Sequence, residues 1–251
     1  MTSAPAARVL DELRMAFLTL SRLPVGRIRG EAPAMGASAW AWPLVGATIG
    51  LIAAIVDCAA LRAGLPPFLA AALAILALVL ATGGLHEDGL ADLADGFWGG
   101  RDAARRLEIM RDSRIGSYGA LALGFSLLIR VGALASLPHG MGGAALVGLS
   151  AASRAAMPVA LWLLPPARPD GLGRAAGGIE PARVAAAVGL GVVALALCLP
   201  AGKWLALPVM AAAAAGLGLL ARRKIGGQTG DVLGATQQVA ELAGWLVLAA
   251  Q

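Results

Sequence analysis

Charge is scarce in this chain. Of its 251 residues only 14% are Asp, Glu, Lys or Arg, against 59% hydrophobic, and the mean hydropathy is +0.77. A soluble domain carries nearer a quarter charged residues, so a water-soluble fold is excluded and an integral membrane protein is expected. Aromatic residues are also few, at 4%, so large rings do little of the packing. The 34 glycines point instead to helices that approach through small residues, as at Gly46-x-x-x-Gly50. Cysteine is nearly absent. Cys58 and Cys198 both fall in apolar stretches, where a thiol acts as a small hydrophobe, and two isolated cysteines make no zinc site. Alternating apolar and polar runs are missing too, which argues against a barrel. No cleavable signal peptide is evident, because the first 30 residues mix acids with Arg and hold no short apolar core before a cleavage site.

What is present is a series of continuous apolar runs. Spans are expected near 38–61, 67–86, 116–137, 142–164, 184–200, 204–221 and 232–250, each of roughly the 20 residues that cross a bilayer. The fold class is therefore all-α, a polytopic bundle of about seven transmembrane helices forming one domain over 1–251. With the N-terminus cytoplasmic, sixteen Lys and Arg residues fall in inner segments and only Arg62 and Lys203 in outer ones. That bias gives an N-in, C-out topology by the positive-inside rule. The inner segments are an interfacial stretch, 1–30, and the loops 87–115, 165–183 and 222–231. Leu10, Leu13, Phe17 and Leu20 recur at helical spacing, so 7–22 reads as a helix lying on the membrane. Polar residues crowd the inner face, which makes it the working face.

The most informative stretch is His86-Glu87-Asp88-Gly89-Leu90-Ala91-Asp92-Leu93-Ala94-Asp95-Gly96, directly behind the apolar run Pro67–Leu85. Carboxylates at the edge of hydrocarbon are costly unless a cation or a chemical task holds them there. Continuing the run as a helix places Asp88, Asp92 and Asp95 within about 60° of one another, over roughly 10 Å of axis. Such a face suits Mg²⁺, which takes a few carboxylates, keeps waters and bridges phosphates. Asp88, Asp92 and Asp95 are the expected metal ligands, and Asp112 is a further acid from the far end of the loop. Glu87 sits about 100° off that face and is a weaker candidate. His86 reads as a general base, a metal ligand or a helix-end residue satisfied by the backbone; its position alone divides these poorly.

Other residues suggest anion contacts. Gly99-Gly100 ends the acidic stretch, and Arg101–Arg111 reads as a short amphipathic helix. Arg111 and Arg114 flank Asp112, a place for a substrate phosphate, although basic residues beside a membrane also meet lipid headgroups. Pro165–Arg174 is a loop by its Pro and Gly content, with Arg168 and Arg174 as substrate contacts. Gly226-Gly227-Gln228-Thr229-Gly230-Asp231 opens the last span, and its backbone amides are placed to meet a phosphate. Gly227, Gln228, Thr229 and Asp231 are therefore candidate binding residues. Arg130, Arg154, Asp57 and Glu241 fall inside spans, where ionisable groups face a cavity or a partner; internal ion pairing is the reading for Asp57.

Four motifs together resemble the cobalamin synthases, the adenosylcobinamide-GDP ribazoletransferase family. They are Ser21-Arg22-Leu23-Pro24, the run Gly83–Gly96, Ile109-Met110-Arg111-Asp112-Ser113-Arg114-Ile115-Gly116, and the run Gly226–Ala235. The likeness extends from about residue 8 to the C-terminus. In the family pattern His86 and the three aspartates have counterparts, whereas the Glu87 position varies. The resemblance implies a multi-pass enzyme of the bacterial inner membrane with a cytoplasmic active face. It implies Mg²⁺-dependent transfer from adenosylcobinamide-GDP to α-ribazole or its 5′-phosphate, with GMP released. His86, Asp88, Asp92, Asp95 and Asp112 would then be catalytic. Membrane lipid is the expected surround, nucleic acid is not an expected partner, and a homo-oligomer is left open.

Two other readings compete. A CDP-alcohol phosphotransferase shares the logic of aspartates at a membrane edge, but Asp92 follows Ala91 where that family has Arg. A transporter would use Asp57, Arg130, Arg154 and Glu241 as a pathway, yet the charges crowd one face and no inverted repeat is visible.

Overall fold

The structure, a computed structural model, describes residues 5–138, 140–169 and 178–250. Among the described residues it is all helix: α1 (Pro5–Leu20), α2 (Trp42–Arg62), α3 (Pro67–Thr82), α4 (Leu85–Gly99), α5 (Ala103–Ile109), α6 (Ser117–Ser136), α7 (Met141–Leu163), α8 (Pro181–Cys198), α9 (Ala206–Ile225) and α10 (Gly230–Ala249). A 3₁₀ turn, Met35–Ala41, leads into α2. Among the described residues six helices are long and apolar enough to cross a membrane, with a seventh crossing if α3 and α4 are one broken span.

The bundle is built around α7, which packs along α2, α8 and α10. Small residues set the spacing, as expected. A Cβ added to Gly50 would stand 2.5 Å from the Leu146 carbonyl oxygen, and one on Gly46 would overlap the Ser150 carbonyl. Trp42, Ile49, Leu146, Leu149, Leu195, Trp245 and Leu248 close the core. Leu51, Ile55, Leu76, Leu80, Phe125, Leu128 and Leu197 lie on the outside, as they should where the surrounding solvent is hydrocarbon rather than water.

One expectation is corrected at the acidic stretch. The sequence reads there as the continuation of the preceding apolar run, but the axis turns by 89° between α3 and α4. The cause is a pair of glycines: Gly83 and Gly84 have φ of +68° and +71°, a left-handed conformation that residues with a Cβ seldom adopt. Their N–H groups close onto the Leu80 and Val79 carbonyls, the paired bonds with which helices end. α4 therefore lies across the bundle and does not extend the crossing.

α1 matches the expected N-terminal helix. Ala16 and Leu20 are buried while Leu10 and Leu18 stay exposed. It is tied down by Glu12, which accepts from Trp40 Nε1 at 3.0 Å and from Arg183 at 2.8 and 3.0 Å. Burial by itself would raise the Glu12 carboxyl, but hydrogen bonds from Arg183 and Trp40 outweigh it and hold it below its ordinary value. Asp57, expected in an internal ion pair, has none among the described residues; α7 begins beside it with Gly142, which brings no cation.

Candidate functional site

α4 carries the acids at one end of the bundle. It stays helical through all three aspartates, so the common face read from their spacing is realised. Asp88 is exposed, Asp92 half-buried and Asp95 buried. The first turn of α10 crosses α4 at Gly89, where a Cβ would stand 3.0 Å from the Asp231 carbonyl oxygen and 3.2 Å from its Cα. That approach places Asp231 in the electrostatic reach of Asp88 and Asp92. Burial, then Asp88, Asp231 and Asp95, push the Asp92 carboxyl up to about 7. Arg168 offsets part of this charge from 3.9 Å away, against Asp231.

Two loops are joined beside these acids. Gln228 N–H donates to the Pro165 carbonyl at 2.8 Å, and Ala167 N–H donates to the Gln228 carbonyl at 2.9 Å. Gly227 permits the approach, since a Cβ there would overlap the Pro165 carbonyl. Arg168 is fastened by a 2.8 Å bond from its Nη2 to the Leu107 carbonyl. Thr229 caps α10, accepting from Val232 N–H at 3.3 Å, and donates to Asp231 Oδ2 at 3.1 Å. The expectation that this turn offers its amides to a phosphate is thus corrected at Gln228, whose N–H is committed to Pro165. Arg174 lies outside the described residues.

Asp95 has a different occupation from Asp88 and Asp92. Its Oδ2 accepts from Gly116 N–H at 2.7 Å and its Oδ1 from Gly119 N–H at 2.9 Å. A carboxylate there satisfies two amides that the start of α6 would otherwise leave without partners. Asp112 is held by Arg114, which donates from its backbone N–H at 3.1 Å and from Nη2 at 2.6 Å. Those bonds hold its carboxyl down to about 2. Asp95, Asp112, Arg114, Ile109 and Tyr118 line an open cleft of about 450 Å³, one turn along α4 from Asp92. Arg111 is exposed at the end of α5.

Facing the other way from α4 is a buried polar cluster. Glu87 Oε1 accepts from Arg130 Nη1 at 2.8 Å and from Gln238 Nε2 at 3.1 Å. Arg130 Nη2 lies 3.5 Å from Glu241 Oε1, and Glu241 also accepts from Gln237, Ser153 and Trp245. Arg154 donates to the Ser150 carbonyl at 3.0 Å. His86 is 1% exposed, and neither ring nitrogen has a hydrogen-bond partner among the described residues. Arg130, Arg154 and Glu241 have no exposed surface. Arg130 pairs with Glu87 and Glu241, and Arg154 bonds to backbone, so these span charges are met inside the bundle.

Comparison with known sequences settles the lineage. The profile of a family described as cobalamin-5-phosphate synthase matches residues 12–249. The chain belongs to that family. It is 45% identical over 241 residues to an adenosylcobinamide-GDP ribazoletransferase of Mesorhizobium japonicum, covering 96% of this chain and 93% of the relative. A protein of the same name from Bradyrhizobium diazoefficiens is 46% identical, covering 96% and 94%. One from Xanthobacter autotrophicus is 49% identical, covering 93% of each. No solved structure matches the chain. Membership of the cobalamin synthases sets aside the CDP-alcohol phosphotransferase reading.

Sequence reasoning missed three structural partners of the site in this cobalamin synthase. Gly116 and Gly119 receive the Asp95 carboxylate, and a Cβ on either would overlap it; their Gly-x-x-Gly spacing was the available signal. Gln238 braces Glu87, and only its being an amide within an apolar span pointed to it. Among the described residues no group of three or more His, Cys, Asp or Glu is gathered closely enough to hold a metal ion. The donor set nevertheless fits a hard divalent cation. Asp88, Asp92 and Asp231 crowd negative charge that Arg168 only partly offsets, and Mg²⁺ needs only one or two protein carboxylates when phosphates and water complete its shell.

Proposed function

We propose that this chain is the phosphotransferase that joins adenosylcobinamide-GDP to α-ribazole or its 5′-phosphate, yielding adenosylcobalamin or its 5′-phosphate and GMP. The observation that carries the reading is the meeting of Asp88, Asp92 and Asp231 with Arg168 at one end of a membrane bundle, in a member of this family. The reaction is a displacement at phosphorus. The 3′-hydroxyl oxygen of the ribazole bonds to the phosphorus attached to cobinamide, the bond from that phosphorus to the GMP oxygen breaks, and the hydroxyl proton passes to a base.

Mg²⁺ would be held by Asp88 and Asp92, with Asp231 adding negative charge beside them, and when bound it would neutralise the charge that develops on the transferring and leaving oxygens. Arg168, fixed by Leu107 and beside Asp231, meets the anionic donor. Arg111 and Arg114 extend that attraction along the cleft beyond Asp95. His86 is too enclosed to meet a hydroxyl, so the proton goes to a carboxylate of the aspartate face. The site faces the cytoplasm of a bacterial inner membrane, in line with the distribution of Lys and Arg.

The test uses Asp88→Ala and Asp92→Ala proteins purified in detergent, assayed for corrinoid product at saturating Mg²⁺. Wild-type rates in either would remove the metal-site reading. Product formation only from the arginine-rich side of sealed vesicles, with impermeant substrates, is the expected result for a cytoplasmic face.

A further inference from the structure

Glu87 is next to Asp88 in sequence but about 100° away around α4. Its side chain is 10% exposed and that of its partner Arg130 is 0% exposed. Breaking such a pair leaves an uncompensated buried charge, whereas replacing both members with apolar residues of similar volume is often neutral or stabilising. Stability alone therefore gives little reason for the pair. Its geometry gives a better one. α4 and α10 meet at Gly89 and Gly234, where a Cβ on Gly234 would stand 3.4 Å from the His86 Cα and 3.5 Å from the Gly89 Cα. The glycines bring no side chains to that crossing; farther along α4, Leu90 and Leu93 pack in one core with Val232 and Ala235, and Asp95 bonds to Gly116 and Gly119 of α6. At the first turn of α4, which carries Asp88, the bonds at Glu87 are what resist rotation about the axis. They reach α6 through Arg130 and α10 through Gln238, and Arg130 is itself tied to Glu241 of α10.

We propose that Glu87 and Arg130 are positioning residues whose buried pair sets the rotation of α4, so that Asp88 and Asp92 turn out of the bundle toward Asp231. The proposal rests on the reading of Asp88 and Asp92 as the working face, but it is tested by a measurement that needs neither metal nor substrate. A turn of α4 by one residue step breaks both bonds at Glu87 and carries Asp88 away from its exposed position. Removing Glu87 and Arg130 together leaves Arg154 and Glu241 in charge balance, so the bundle keeps its fold.

The experiment places Asp88→Cys in a Cys58→Ala/Cys198→Ala background, with and without Glu87→Leu/Arg130→Met. The rate of labelling by a charged maleimide is measured in detergent, with Glu108→Cys on exposed α5 as control. The expected result is an unchanged melting profile and control rate, with labelling at position 88 several-fold slower in the double variant. An unchanged rate at position 88 in the folded double variant overturns the proposal. Should that variant fail to fold, Glu87→Met, which keeps the volume, removes the acceptor of both bonds and leaves Arg130 with Glu241, is measured instead and decides in the same two ways. Loss of Mg²⁺ dependence in the unmodified enzyme would overturn the metal reading alone and leave the labelling result standing.

Discussion

Asp95 is the residue whose role most separates a metal ligand from a helix cap. In the structure both its oxygens accept backbone N–H groups of the α6 start, from Gly116 and Gly119. Hydrogen bonds to a charged group contribute about 1.5–3 kcal/mol each. Asp95→Ala removes two and orphans two amides, so it should destabilise by about 3 kcal/mol or more. For a chain of this length about 1 kcal/mol moves the melting temperature by roughly 2–4 °C, giving a fall on the order of 6–12 °C. Asp95→Asn keeps one acceptor oxygen and should lose about half as much. Gly119→Ala should act in the same direction, because its Cβ would overlap Asp95 Oδ2. The assay pairs thermal unfolding in detergent with a Mg²⁺ titration of activity. A cap predicts lowered melting in all three variants with little change in the Mg²⁺ concentration for half-maximal rate. An Asp95→Asn protein that melts like wild type yet needs far more Mg²⁺ would refute the cap and restore Asp95 to the ligand set.

Three other outcomes are expected. Asp92, pushed up to about 7 by burial, Asp88, Asp231 and Asp95, binds its proton more tightly in the folded state than in the unfolded one. Its stabilising contribution is therefore full below about pH 4 and is lost as pH rises through about 7. Melting temperature against pH in metal-free protein should show that decline and lose it in Asp92→Asn; parallel curves would contradict the charge crowding. Glu12 behaves in the opposite sense. Its lowered carboxyl contributes stability above about pH 4 that disappears as pH falls, so Glu12→Gln should show a shallower acid-side loss than wild type in the same experiment. Gly46→Ala drives a methyl into the Ser150 carbonyl and should cost about 1–3 kcal/mol as overpacking; an unchanged melting temperature would mean that α2 and α7 are not in close backbone contact.

Much of the fold was legible because hydrocarbon imposes simple rules. Apolar length located the spans, and Gly46 and Gly50 marked a close helix contact before any coordinates. The aspartate spacing on α4 was readable because a helix fixes angles locally. What escaped was long-range. Nothing in the spacing of Asp95 told it apart from Asp88 and Asp92; its different occupation comes from Gly116 and Gly119, more than 20 residues on. The turn at Gly83–Gly84 was visible only as two glycines at the end of an apolar run, and their left-handed conformation reoriented the whole acidic helix. Asp231 reads as a substrate contact because it closes the Gly-rich turn that opens the last span, and only the Gly89 crossing brings it into the acidic group. Glu87 looked expendable from its angle, and the same angle directs it to Arg130.

The bridge between Pro165 and Gln228 has a mechanical consequence. Two stretches of chain that share backbone hydrogen bonds cannot shift separately, so the loop that carries Arg168 is anchored to the turn that opens α10, where Asp231 sits. Drawing Arg168 away from Asp231 also breaks its bond to the Leu107 carbonyl, so the seating of α5 is tied to the charge beside Asp231.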